Sequence, residues 1–332
     1  MPPTAKANVL AGDIGGTKTI LALFRPEGSA LVEVAKEKYS STEYPNLTAV
    51  VREFITANQF RVERACFGIA GPVRGDRVEA TNLPWVIEAR ALKQDLLIER
   101  VVLINDFHAI AYGIEQLASQ QLLTLNPGSR VEHGPQAILG AGTGLGEAFL
   151  FWSNGRYEVV ASEGGHADFA PRTDLEIELL RYLIQKFGRV SYERILSGPG
   201  LANLYSFLQQ REPQRESAAL RAELEAAEDP APIISDFALS GRDPLAVQAL
   251  DLFVAIYGAE AGNLALKVVA TGGVYIAGGI APRITEKLRQ PTFLDAYQDK
   301  GRLSDLVRSI PVQVVLNPEV GLLGAAVVAA RE

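Results

Sequence analysis

Cysteine is almost missing from this chain of 332 residues: Cys66 stands alone, inside the apolar run Ala65-Cys66-Phe67-Gly68-Ile69-Ala70. One cysteine excludes an intramolecular disulfide and a cysteine-based metal site. Its apolar neighbours mark it as a small buried hydrophobe rather than a reactive thiol. Long basic runs are also missing, and the formal net charge is −7, so nucleic acid is not an expected partner. No uninterrupted apolar stretch is long enough to span a bilayer, and Met1-Pro2-Pro3-Thr4-Ala5-Lys6 offers no apolar signal core. These absences predict a cytoplasmic protein with no membrane partner. What is present, 48% hydrophobic and 21% charged residues, is ordinary for a globular protein, and the length suggests two domains.

The chain opens as a strand (8–12), a turn (Asp13-Ile14-Gly15-Gly16-Thr17) and a second apolar run (Ile20-Leu21-Ala22-Leu23-Phe24). This is a hairpin around glycines, where backbone can approach a ligand closely. It is not a P-loop: counted from Gly12, the second glycine position of that motif falls on Thr17, and a strand follows where a helix is required. A second hairpin repeats the pattern, with Ala137-Ile138-Leu139, then glycine at every second position from Gly140 to Gly146, then Ala148-Phe149-Leu150-Phe151-Trp152. A Rossmann glycine motif should open a helix, and this one opens a strand. Setting Asp13 beside Gly142 aligns the hairpins as a weak internal repeat, which predicts two related α/β domains.

Between and after the hairpins, periodicity predicts helices over 45–59, 88–98, 174–187, 244–270 and 320–330. Gly258 and Gly262 inside the fourth cost roughly 1 kcal/mol each against alanine, so close packing must require them. Residues 191–196 read as a short capped helix ended by Ser197-Gly198-Pro199-Gly200, and 272–280 as a strand closed by Gly278 and Gly279. Thr81-Asn82-Leu83-Pro84-Trp85 is irregular and has no assigned role. Residues 211–232, charged, Ala-rich and bounded by prolines, read as a solvated excursion, helical in part.

Chemistry concentrates at Ile104-Asn105-Asp106-Phe107. The apolar run Val101-Val102-Leu103-Ile104 reads as a buried strand, and ligands of open α/β sheets bind outside the carboxyl ends of strands. Asp106 is therefore a candidate general base; the same dipeptide is also a common turn and helix cap. Ser162-Glu163-Gly164-Gly165-His166-Ala167-Asp168-Phe169 places an acid and a histidine across two glycines, in a loop whose polar side chains stand clear of the backbone.

Taken in this order, the glycine turns, Ile104-Asn105-Asp106-Phe107, Glu163-Gly164-Gly165-His166-Ala167-Asp168, Glu193-Arg194-Ile195-Leu196-Ser197-Gly198-Pro199-Gly200, Ala277-Gly278-Gly279-Ile280 and Gly321-Leu322-Leu323-Gly324 resemble the bacterial glucokinase family. That family sits within the superfamily of sugar kinases, actin and heat-shock ATPases. The resemblance implies an α/β fold of two related ribonuclease H-like (actin-like ATPase) domains flanking an active-site cleft. The expected domains are 1–115 plus 317–332, and 116–316. The implied activity is ATP-dependent transfer of phosphate to the 6-hydroxyl of glucose. Asn105, Asp106, Gly142, Glu163, His166 and Glu193 match the sugar ligands, with Asp106 as base. Gly12, Asp13, Ile14, Gly15, Gly16 and Thr17 match the first phosphate loop, Gly142, Thr143 and Gly144 the second, and Gly278 and Gly279 the adenosine side. Mg²⁺ is the implied metal, with Asp13 its protein contact, through water. A homodimer is usual for the resembling family. The zinc-binding cysteine cluster of the neighbouring repressor/kinase family is absent.

The alternatives are a kinase for mannose, fructose or an N-acetylhexosamine, a non-catalytic sugar sensor, and an actin-like filament protein. A sensor needs a DNA-binding helix-turn-helix, for which the segment before the first glycine turn is too short. A filament protein has no use for a sugar pocket.

Overall fold

The computed structural model describes residues 8–28, 30–80 and 83–331. The chain divides into two compact units, one formed by Met1–Ser119 with Asn317–Glu332 and the other by Gln120–Leu316.

The first unit is built on a five-stranded sheet. Its strands are β1 (Val9–Ile14), β2 (Lys18–Glu27), β3 (Ala30–Ser40), β4 (Arg64–Ile69) and β8 (Arg100–Asn105), in the order β3-β2-β1-β4-β8. β1 pairs antiparallel with β2 and parallel with β4, and β4 parallel with β8. Helix α1 (Leu47–Asn58) follows β3, and a small three-stranded sheet of β5 (Val73–Arg74), β6 (Arg77–Glu79) and β7 (Val86–Glu88) precedes α2 (Ala89–Leu96). Helix α3 (Asp106–Gly113) starts directly at the end of β8.

Strand alternation divides the apolar residues of this sheet between two faces. Leu10, Ile14, Leu21 and Phe67 face Val50, Phe54, Trp85 and Leu92. Val9, Ala11, Ala22 and Cys66 face Leu322, Ala325 and Ala329 of the C-terminal helix Val320–Ala330. Cys66 is fully buried there and its thiol pKa is pushed up by burial, as its sequence context predicts. The C-terminal helix also lies against α3: a Cβ on Gly324 would overlap the carbonyl oxygen of Ala109, and one on Gly113 that of Val320. Of the irregular segment 81–85, Thr81 and Asn82 lie outside the described residues, while Trp85 is core and its indole N–H donates to the Tyr44 carbonyl at 3.3 Å.

The second unit carries a six-stranded sheet. Its strands are β9 (Leu122–Asn126), β10 (Gln136–Ala141), β11 (Leu145–Ser153), β12 (Arg156–Ser162), β13 (Gly273–Ala277) and β14 (Val312–Val315), in the order β12-β11-β10-β13-β14-β9. β10 pairs antiparallel with β11 and parallel with β13, so the first five strands of that order repeat the pairing pattern of the first unit. The internal repeat is thus real, but its register differs from the expected one. The last paired residues of the hairpins are Ile14 and Ala141, which sets Gly15, not Asp13, beside Gly142.

The helices of this unit are α4 (Asp174–Phe187), α5 (Gly198–Arg211), α6 (Ala218–Glu225), α7 (Pro230–Leu239), α8 (Pro244–Val268), α9 (Thr285–Leu288), α10 (Pro291–Gln298) and α11 (Ser304–Ser309). Helix α8 is long and apolar enough to cross a membrane, but 78% of its most apolar window is buried inside the protein; its apolarity serves the core. Gly258 and Gly262 let α10 lie on it, since a Cβ on either would overlap the carbonyl of Phe293 or Tyr297. Two expectations are corrected. The segment 211–232 is not simply solvated: Leu220 of α6 and Ala231 of α7 are buried, and Leu220 belongs to the core with Ile234 and Phe237. Ser197-Gly198-Pro199-Gly200 does not only end a short helix; Ser197 caps α5, accepting from Gly200 N at 3.0 Å.

Candidate active site

Each unit gathers its candidate residues at the carboxyl ends of its parallel strands. In the first unit these are β1, β4 and β8. Strand β1 runs through Ile14, so Gly12, Asp13 and Ile14 belong to the strand, not to the turn. Gly12 serves packing, because a Cβ there would crowd Phe67, and Ile14 is core. The turn itself is Gly15-Gly16-Thr17, closed by Gly15 N donating to Lys18 O at 2.9 Å. Beneath it, the buried Ser41 hydroxyl donates to Gly15 O and meets Thr19 Oγ1, both at 2.9 Å. Sequence inspection missed this support, whose signal is a pair of hydroxyl residues inside otherwise strand-forming runs.

Asn105 ends β8 and caps α3. Its Oδ1 accepts from Phe107 N at 2.9 Å and His108 N at 3.4 Å, while its Nδ2 donates to Gly71 O at 3.2 Å. Asp106 follows as the first residue of the helix, with Phe107 N donating to its Oδ1 at 2.9 Å. Cap and candidate base are therefore neighbours with separate duties. Burial lifts the Asp106 carboxyl above its ordinary pKa, against the pull of the Phe107 N–H, its own N–H and the Asn105 side chain. Asp13 is pushed up to about 6, first by burial, then by the charge of Asp106 and more weakly of Glu319, with Lys18 opposing. Glu319, just before the C-terminal helix, is tied to Lys36 of β3 at 2.9 Å.

In the second unit the turn Gly142-Thr143-Gly144 joins β10 to β11. Gly142 N donates to Gly144 O, and Gly142 O accepts from Gly198 N at the start of α5, both at 2.8 Å. Glu193 reaches this turn: its Oε2 accepts from Leu145 N at 3.0 Å, and its Oε1 lies 3.8 Å from His166 Nδ1. The loop Glu163-Gly164-Gly165-His166 leaves Glu163 and His166 exposed. Arg189 holds it from outside, donating to His166 O at 2.6 Å and pairing with Asp168 at 2.8 Å. Gly278, at φ +80°, sits against the backbone of Ala141, so that Gly278 and Gly279 border the Gly142 turn. The buried Tyr257 ties these ends together: its hydroxyl accepts from Ala141 N at 3.1 Å and lies 3.5 Å from Ala277 O. Tyr257 was not foreseen, since its sequence setting is that of any core residue of a long helix.

The structure thus brings Asn105, Asp106 and Asp13 together in one unit, and Gly142, Thr143, Gly144, Glu163, His166, Glu193, Gly278 and Gly279 in the other. Glycine turns at strand ends present backbone N–H groups suited to phosphate. Carboxylates, an amide and an imidazole suit a ring of hydroxyls. This fold with these groups defines a sugar kinase of the actin-like ATPase class.

The glucokinase family model matches residues 10–332. The glucokinase of Trichormus variabilis is 46% identical over 338 residues, covering 97% of this chain and 99% of that protein. The glucokinase of Synechocystis is 47% identical over 348 residues, covering 98% of each. Among solved structures, the glucokinase of an Antarctic psychrotroph superposes with a TM-score of 0.87 at 32% identity, covering 97% of this chain and 98% of that one. The chain belongs to the glucokinase family, and its activity is the ATP-dependent phosphorylation of glucose.

Proposed function

We propose that Asn105, Asp106, Glu163, His166 and Glu193 are glucose ligands, with Asp106 as general base on the 6-hydroxyl. The observation that carries this is the position of Asp106, a partly buried carboxylate at a strand end whose pKa is raised by burial. Such a carboxylate is poised to take a proton. In the step, the hydroxyl proton passes to Asp106 and the 6-oxygen bonds to the γ-phosphorus of ATP. The bond from that phosphorus to the β–γ bridging oxygen breaks, and ADP leaves. Phosphoryl transfer asks mainly for in-line positioning and charge stabilisation. The turns Gly15-Gly16-Thr17 and Gly142-Thr143-Gly144 would hold the phosphates, and Gly278 and Gly279 the adenosine side.

The residues suit Mg²⁺. Asp13 is a hard oxygen donor beside the negative charges of Asp106 and Glu319, with Lys18 opposing them. Among the described residues no three His, Cys, Asp or Glu side chains converge as a metal cage, and Mg²⁺ usually takes one or two carboxylates plus waters and phosphates. When bound, Mg²⁺ neutralises charge on the phosphoryl oxygens. Asp13 would hold it through water.

Asp106→Asn tests the base: turnover should fall by about 10²–10⁴ while calorimetry still detects glucose binding. Preserved turnover would remove Asp106 from the role. A coupled assay for glucose 6-phosphate with Mg-ATP, run beside mannose, fructose and N-acetylglucosamine, tests the sugar. We further assign the enzyme to the cytoplasm, as a homodimer acting at the entry to glycolysis; sedimentation at the mass of one chain would refute the dimer.

A further inference from the structure

Glu147 lies two residues beyond Leu145 on β11, on the same face of the strand, and opposite Ser162 of β12. It is 2% exposed, and neither carboxyl oxygen has a hydrogen-bond partner. Buried polar atoms are otherwise almost always paired, and the phosphoryl-transfer step makes no use of this one. Its carboxyl occupies the volume that a side chain on residue 164 would need: a Cβ on Gly164 would overlap Glu147 Oε2. A Cβ on Gly165 would overlap the Leu145 carbonyl. The two glycines of the Glu163–His166 loop therefore lie flat on Leu145 and Glu147. Gly164 N donates to Ser162 Oγ at 3.0 Å, not to the carboxyl beneath it.

The charges around this carboxyl offer it little. From α8, Glu260 repels it and Lys267 attracts it. Lys267 is already committed to Glu260, at 3.1 Å, and Glu260 also accepts from Asn263 at 2.8 Å. The Tyr192 hydroxyl belongs to that same Glu260–Asn263 cluster. β12 contributes the neutral Ser162, and the loop turns Glu163 and His166 to solvent. An ionised carboxylate without a donor is strongly disfavoured in such a place. Either it stays neutral, or the loop above it lifts and lets water in.

We propose that Glu147 is a positioning residue whose neutral carboxyl seats the Glu163–His166 loop for sugar binding, and whose ionisation unseats it, making glucose affinity proton-linked. The proposal rests on the assignment of Glu163 and His166 to the sugar. Its pH window follows from burial, which pushes the carboxyl up from 4.5 to about 7, with Glu260 pushing the same way and Lys267 opposing. The seated loop holds a proton that the lifted loop releases. Seating therefore weakens as pH rises from the ordinary carboxyl range, and the full penalty stands above about 7.

Two measurements on the whole enzyme test this. In the first, the glucose KM at about pH 8.5 is divided by that at about pH 6; the ratio should be about threefold or more in the wild type and near one in Glu147→Gln. Every other titration is common to both proteins and cancels in the comparison. In the second, calorimetry of glucose binding at about pH 6.5, in two buffers of different ionisation enthalpy, should show proton uptake in the wild type that is lost in the variant. A purely structural Glu147 would move neither. Glu147→Met serves if the glutamine variant does not fold. Equal KM ratios and equal proton uptake in wild type and variant overturn the proposal. Glu163→Gln is run beside them. If it leaves the glucose KM unchanged, the sugar assignment fails and takes the proposal with it; if it raises KM while the Glu147 variant keeps the wild-type profile, the proposal alone fails.

Discussion

Asp13 shows at the scale of one residue how a crowded carboxyl at a strand end opposes folding. Its carboxyl is lifted from 3.8 to about 6 by burial and by the charges of Asp106 and Glu319. The folded protein holds this proton more tightly than the unfolded chain. Stability from this group is therefore lost as pH rises from about 4 to about 6 and is not regained above. A tenfold difference in proton affinity between the folded and unfolded states is worth about 1.4 kcal/mol. Solvent screening at a strand end reduces the total, leaving about 1–2 kcal/mol. Asp13→Asn should accordingly be more stable than the wild type by that amount at neutral pH without Mg²⁺ or nucleotide, and not at about pH 4. Urea titrations at the two pH values measure it. A variant no more stable at neutral pH would mean that the carboxylate is already compensated. The same substitution should weaken Mg-ATP turnover if Asp13 positions the metal's water shell.

Elements are fixed by how closely their backbones approach. The C-terminal helix reaches α3 only because Gly324 leaves room for the carbonyl of Ala109. Gly324→Ala gains helix propensity, at about 1 kcal/mol, yet must push two backbones apart, a strain of about 1–3 kcal/mol or more. A net loss of stability in thermal melts is expected, with hydrogen exchange in β1 and β4, which the helix covers, quickening first. A melting temperature equal to or above the wild type would show that the helices can separate freely. This packing was legible in the sequence, because small residues and glycines on an otherwise apolar helix have few other uses. The helix over 174–187 was legible for another reason: apolar residues at helical spacing, Thr173 as cap and Gly188 as stop. β3 and β12 were not. They are edge strands, largely solvent-facing, and their charged residues follow no core face. That the segment around α6 is helical in part was legible, but its inward face was hidden by exposed charges, which outnumber the single buried Leu220. Of the site, residue types and strand ends could be read locally. The contact of Glu193 with the Gly144 turn could not, because 48 residues separate Glu193 from its donor Leu145. Glu147 carried a local signal, an acid inside the run Leu145-Gly146-Glu147-Ala148-Phe149, but its meaning depends on Gly164 above it.

At the scale of the whole molecule, the proposed sugar ligands are divided between the two units, and the chain passes between those units twice, after Ser119 and after Leu316. If one glucose engages both sets, its binding energy must appear in both units at once. A ligand at about 100 times its Kd stabilises the state that binds it by about 2.7 kcal/mol. Amide hydrogen exchange with and without glucose can locate that stabilisation. Protection is expected at the end of β8 and the first turn of α3, where Asn105 and Asp106 sit, and also in residues 163–166 and around Glu193. Asp106→Asn should keep both patterns, since it removes a proton acceptor but leaves a side chain able to hydrogen-bond the sugar. Glu193→Gln should weaken protection in both units together, although Glu193 belongs to the second alone. That cross-unit loss is the decisive part. Protection confined to the second unit would mean that glucose is held there without Asn105 and Asp106, and the general base would then have to be sought among the acids of that unit.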